Sequence, residues 1–152
     1  MKKIVFALAT LAIVSCSENK GTKKVSSQMV KNESSVIKDY EKTTGGPAIT
    51  FDHKNFDFGE IIDGQEVQHA FQFVNSGDEP LLVLSAKGSC GCTVPEWPNE
   101  PIAPGETGVI LVTFNSKGRS GAQTKKVTLT TNAKGEMQRV LLEIKGQVVK
   151  NK

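Results

Sequence analysis

Glu66-Val67-Gln68-His69-Ala70-Phe71-Gln72-Phe73-Val74-Asn75 is the stretch on which the fold turns. Val67, His69, Phe71 and Phe73 fall on one side of an extended chain, and Gln68, Ala70, Gln72 and Val74 fall on the other. A period of two gathers the two phenylalanines on one face only if the segment is a strand, and the glutamines then face water. Working outward, Asn75-Ser76-Gly77-Asp78-Glu79-Pro80 has the composition of a turn, and Leu81-Leu82-Val83-Leu84 is apolar on both faces, as a central strand would be. Pro101-Ile102-Ala103-Pro104-Gly105-Glu106 is a second loop, because two prolines and a glycine preclude a regular ladder. Gly108 opens a strand over Val109–Asn115, Ser116–Gly121 is a turn, and Gln123–Thr131 is the next strand. Asn132-Ala133-Lys134-Gly135 closes a hairpin onto Glu136–Val149, where Val140, Leu142, Ile144 and Val148 share a face. Upstream, Ala48–Phe51 makes a short first strand, and Phe56-Asp57-Phe58-Gly59 sets two aromatics on one side. The domain region carries no helix-length amphipathic pattern. About seven short strands separated by Gly and Pro turns predict an all-β fold, an immunoglobulin-like antiparallel β-sandwich, with a small barrel as the alternative.

The chain changes character before Pro47. Residues 17–46 are rich in Ser, Thr, Lys, Asn and Glu with scattered apolar positions, too few to offset the entropy of ordering. This segment reads as a flexible tether with a reach of about 30 Å. Ahead of it stand Met1-Lys2-Lys3, an uncharged run from Ile4 to Val14, and then Ser15-Cys16. A basic start followed by an apolar run too short to span a bilayer is the pattern of a secretory signal peptide. Ile13-Val14-Ser15-Cys16 resembles the lipobox of bacterial lipoproteins, where cleavage precedes a cysteine whose thiol accepts the lipid. The expected organisation is a signal peptide over 1–15, a lipid-anchored linker over 16–46 and a β-domain over 47–150. The expected location is the bacterial cell envelope, at the outer membrane, with the anchor on Cys16 holding the chain on the membrane without spanning it.

Formal charge is +3, and loss of Lys2 and Lys3 with the signal peptide leaves +1. Neither value nor an exported location suits a nucleic-acid partner. Of three cysteines, acylation of Cys16 leaves Cys90 and Cys92, an even remainder in a compartment without a reducing thiol pool. Cys90-Gly91-Cys92 admits two readings. One is structural: a local bridge, with Gly91 allowing the bend, or two small buried side chains. The other is chemical: a redox couple, or two thiolates clamping Cu(I). His53 and His69 are candidates to join the cysteines in a Cys₂His₂ zinc site, but the spacing matches no zinc finger, and His69 alternates with phenylalanines as a half-buried strand residue does. Trp97, between Pro95 and Pro98, is a candidate partner contact or a cover for the sheet end. Lys117, Arg119, Lys125 and Lys126 offer a small basic patch at a hairpin tip. No nucleophile elbow, phosphate loop or acidic metal cluster is present in the sequence, which argues against an enzyme.

Several motifs together resemble a known family. Phe56-Asp57-Phe58-Gly59-Glu60-Ile61, Gly64, Phe71-Gln72-Phe73-Val74-Asn75-Ser76-Gly77, Pro80-Leu81, Ser89-Cys90-Gly91-Cys92-Thr93-Val94-Pro95 and Pro101-Ile102-Ala103-Pro104-Gly105 are similar to the domain-of-unknown-function family numbered 1573. That resemblance spans roughly Ile49 to Val149. It implies an immunoglobulin-like domain similar to the major-sperm-protein and Hydin type, common in exported and lipid-anchored bacterial proteins. A sandwich hosts many roles, so the resemblance adds to the fold more than to the function. The expectation is a non-catalytic binding or structural module in the envelope, without a cofactor. Its partner would be a protein or other envelope component. The alternative is a thiol-redox or Cu(I)-handling protein acting through Cys90 and Cys92.

Overall fold

Alternation along Glu66–Asn75 becomes a strand at the centre of one sheet. The computed structural model describes residue 37 and residues 40–150; the signal-peptide segment and Cys16 lie outside the described residues. In chain order the strands are β1 (Ile49–Phe51), β2 (Asn55–Ile62), β3 (Glu66–Asn75), β4 (Val83–Gly88), β5 (Thr93–Glu96), β6 (Thr107–Asn115), β7 (Gly121–Thr131) and β8 (Arg139–Val149). They form two four-stranded sheets, β1-β3-β6-β5 and β2-β8-β7-β4.

The inner faces meet in one core. Phe71 and Phe73 of β3, Ile110, Val112 and Phe114 of β6, Val127 and Leu129 of β7, and Leu142 and Ile144 of β8 are almost wholly removed from water. Each such side chain contributes about 1.5–3 kcal/mol by leaving solvent. The face expected on the last strand is the one observed: Val140, Leu142, Ile144 and Val148 all point inward. Gly146 falls in the same alternating set and has no side chain to contribute. The Phe58 ring from the neighbouring strand lies directly against it and takes that place. A bulge between Asp57 and Glu60, with Gly59 at φ 69° and its amide donating to Asp57 Oδ1 at 2.9 Å, aims that ring.

Three features depart from the sequence reading. First, the sandwich is antiparallel at every strand pair but one: β2 runs parallel to β8. β1 pairs antiparallel with β3, and the short link Asp52–Lys54 carries the chain to the other sheet without reversing it, so β2 keeps the direction of β1. Second, Leu81–Leu84 is not a central strand. Leu81 makes an isolated bridge to Ile102 while β4 begins at Val83 on a sheet edge, and Leu84 is 58% exposed. The segment is apolar because it crosses between the sheets with Leu81 and Val83 buried at either end of the crossing. Third, the strand after Thr131 starts at Arg139, because Gly135–Gln138 is a single 3₁₀ turn. An eighth short strand, β5, completes the first sheet against β6.

Asn75 ends β3 and is fully buried. Its Nδ2 donates to the carbonyls of Glu79 at 2.8 Å and Ile102 at 2.9 Å, and its Oδ1 accepts from the Gly77 amide at 3.0 Å. One side chain thus ties the turn after β3 to the loop before β6. Packing contacts also begin ahead of Pro47: the Asp78 carboxylate accepts from the Gly45 and Gly46 amides at 3.0 and 2.8 Å, and the Thr43 amide donates to the Ser76 carbonyl at 2.7 Å. Those amides hold the Asp78 carboxyl below its ordinary range.

Candidate functional site

Ladder register decides what the outer face of the second sheet displays. Lys87 of β4 stands opposite Thr128 of β7, which stands opposite Leu141 of β8; one row along, Ser85, Thr130 and Arg139 are aligned in the same way. Val127, Leu129 and Val140 occupy the alternate positions and fill the core, so these hydroxyls and cations are turned outward by the same pleat. With Ser89 and Lys126 they line a shallow depression of about 420 Å³. Among the described residues, Lys87, Lys126 and Arg139 have no carboxylate within ion-pairing distance. Leu141 is 47% exposed beside them. The basic patch read from sequence is therefore redistributed. Lys126 belongs to this face, whereas Lys125 alternates to the other side and lies over the Phe114 ring at 5.7 Å, where partial burial and then Arg119 lower its affinity for a proton. Lys87 and Arg139 were hidden from sequence reading, because only the β4-β7-β8 pairing brings them beside Lys126.

Cys90 and Cys92 are joined to each other by a disulfide with Cα atoms 5.2 Å apart, an arrangement common to a structural bridge and to the oxidised form of a redox couple. They lie at the crossing from β4 in one sheet to β5 in the other. The crossing is fastened on both sides: the Ser89 amide donates to the Lys126 carbonyl at 2.8 Å, and the Asn115 amide donates to the Cys92 carbonyl at 3.0 Å. A bonded pair presents no thiolate to Cu(I) or zinc. Trp97 is half-buried and packs against the core.

The histidines meet each other and not the cysteines, so the Cys₂His₂ arrangement does not form. His53, on the link between β1 and β2, and His69, on β3, have their Nε2 atoms 2.7 Å apart. His53 Nδ1 lies 3.0 Å from Asp52 Oδ1. Phe56 stacks on His69 with ring centroids 3.7 Å apart and planes 7° from parallel, and Phe71 meets its edge at 4.6 Å. Partial burial, followed by the neighbouring His53, lowers the His69 pKa from 6.5, with Asp52 acting in the opposite sense. Among the described residues no three His, Cys, Asp or Glu side chains converge as a metal cluster, and no helix is long and apolar enough to cross a membrane.

Similarity to solved structures follows the fold. A protein of unknown function from Porphyromonas gingivalis W83 superposes with a TM-score of 0.56 at 15% identity, covering 67% of this chain and 47% of that one. The VesB protease of Vibrio cholerae gives 0.55 at 15% identity, with 66% and 32% covered. A family 123 glycoside hydrolase from Clostridium perfringens gives 0.55 at 10% identity, with 72% and 28% covered. The chain thus spans under half the length of each of these proteins, and the likeness is one of fold. None of the curated proteins matches the sequence. Residues 49–148, the whole sandwich from β1 almost to the end of β8, match the family described as protein of unknown function (DUF1573), and the chain belongs to that family.

Proposed function

We propose that this protein is an exported, lipid-anchored envelope protein whose sandwich is a non-catalytic interaction module, docking an acidic partner on the outer face of the β2-β8-β7-β4 sheet. The observation that carries the reading is the set Lys87, Lys126 and Arg139: three cations with no carboxylate in ion-pair contact among the described residues, although Glu143 stands across the ladder from Lys126, set between Ser and Thr hydroxyls on an open, shallow surface. A face of that kind offers charge and hydrogen-bond donors over a broad contact, whereas an enclosed reactive centre needs converging nucleophile, base and acid. The lipobox-like Ile13-Val14-Ser15-Cys16 supports the anchor, and the polar composition after it supports a tether that leaves the face free to meet a partner in the envelope. Capture from solubilised envelope fractions tests the module. Lys87→Glu with Arg139→Glu abolishes capture and wild-type capture weakens with salt if the face docks an acidic partner, whereas capture indifferent to both changes rejects it.

A further inference from the structure

The two imidazoles are more constrained than a surface pair needs to be. His69 is held face-on by Phe56 and edge-on by Phe71, which fix its plane, and the Nδ1 of the more exposed His53 lies against Asp52. The two Nε2 atoms face each other at 2.7 Å. With Asp52 accepting the Nδ1 hydrogen of neutral His53, the Nε2 of His53 carries a lone pair, and the bridging hydrogen belongs to His69 Nε2. A carboxylate on the far nitrogen of an imidazole is also the arrangement that orients a metal-binding histidine and raises its basicity.

We propose that His53 and His69 form a two-imidazole site for a divalent transition-metal cation of the copper and zinc class. The cation displaces the shared hydrogen and sits to one side of the line between the two nitrogens: His69 carries its proton on Nδ1 instead, both Nε2 lone pairs bind the ion, and no net proton is released from the neutral pair. Two bonds of about 2.0 Å at a right angle place their nitrogens about 2.8 Å apart, and a tetrahedral angle places them about 3.3 Å apart. The 2.7 Å of the hydrogen-bonded pair is therefore close to the separation that a right-angled pair of ligands needs, and a site of two imidazole nitrogens binds Cu²⁺ more tightly than Zn²⁺ by the general affinity order of divalent metals. His53 supplies the adjustment needed to converge the lone pairs, since its side chain is 41% exposed and sits on the link between two strands. The remaining coordination positions open to solvent, where water or a donor from another molecule fills them.

The test uses the full chain with Cys16→Ala, which removes the one thiol outside the disulfide. Cu²⁺ and, separately, Zn²⁺ are titrated at neutral pH against a chromophoric chelator, and the Cu²⁺ complex is examined by electron paramagnetic resonance. The expected result is one ion per chain, Cu²⁺ bound more tightly than Zn²⁺, and hyperfine coupling to two imidazole nitrogens. His53→Gln, on the exposed link, weakens Cu²⁺ binding at least tenfold and His69→Gln does the same, while Asp52→Asn weakens it roughly tenfold through the loss of ring orientation. Absence of binding against the chelator, or an affinity and spectrum unchanged in His53→Gln, overturns the proposal and leaves the pair as a hydrogen-bonded clasp.

Discussion

Asn75 shows how much one buried polar side chain can organise. Asn75→Ala removes both donors to the Glu79 and Ile102 carbonyls and the acceptor for the Gly77 amide, and the bonds to Ile102 and Gly77 are buried ones. The expected loss is about 2–3 kcal/mol in denaturant unfolding with an unchanged slope. A loss within about 0.5 kcal/mol would show that water replaces the side chain. Gly146→Ala puts a methyl group into the Phe58 ring and the Gly59 carbonyl, and about 1–3 kcal/mol is expected from the displacement of β2. For His69 the sign of the pH dependence follows from its lowered pKa. The folded state favours the neutral ring, so the unfolded chain binds more protons, and this contribution is present above 6.5 and is lost as pH falls through the folded value. Urea unfolding across mildly acidic pH should show stability falling on acidification, and His69→Gln should flatten that slope. These three roles differ in legibility. The alternation of His69 with Phe71 and Phe73 is a local pattern that sequence displays. The Asn75 network joins positions 27 residues apart, and no local pattern encodes it.

At the scale of elements, the strands whose outer side is wet were readable and those at crossings were not. β6, β7 and β8 alternate because one face is core and the other is the more exposed one, so period two survives in the residues themselves; β3 does so as far as Phe73, after which Val74 and Asn75 are buried as well. Leu81–Leu84 misleads because it is apolar throughout, yet only Leu81 and Val83 are buried and Leu84 is exposed on a strand at the edge of its sheet. The parallel β2-β8 pair is set by the three-residue link 52–54, whose direction depends on where the sheets stand in space. The Cys90–Cys92 bridge belongs to this scale too, since it sits at the β4-β5 crossing that backbone hydrogen bonds already fasten to β6 and β7. Replacing both cysteines by Ser is expected to lower stability by about 1–2 kcal/mol, because so small a ring removes little entropy from the unfolded chain. Partner capture should be unchanged. Lost capture with retained fold would instead favour the thiol chemistry of the alternative reading, and mass spectrometry under thiol-blocking conditions would then report which oxidation state is active.

For the molecule as a whole, the proposal joins an anchor at Cys16, a polar tether and a domain that presents one basic, hydroxyl-rich sheet face. Anchor and tether are read from residue order alone, and Cys16→Ala is expected to abolish fatty-acid labelling and release the protein from membranes. The docking face is the part that sequence concealed: Lys87, Lys126 and Arg139 come from three strands, and only their register makes them neighbours. Site-specific photo-crosslinking in intact envelopes tests the central claim most directly, with the crosslinker placed at Leu141 on that face and, separately, at exposed Glu96 on β5 of the other sheet. The account predicts a discrete adduct from position 141 that disappears with Lys87→Glu and Arg139→Glu, and none from position 96. Equal adducts from both positions, or an adduct at 141 that survives the charge reversals, would contradict it.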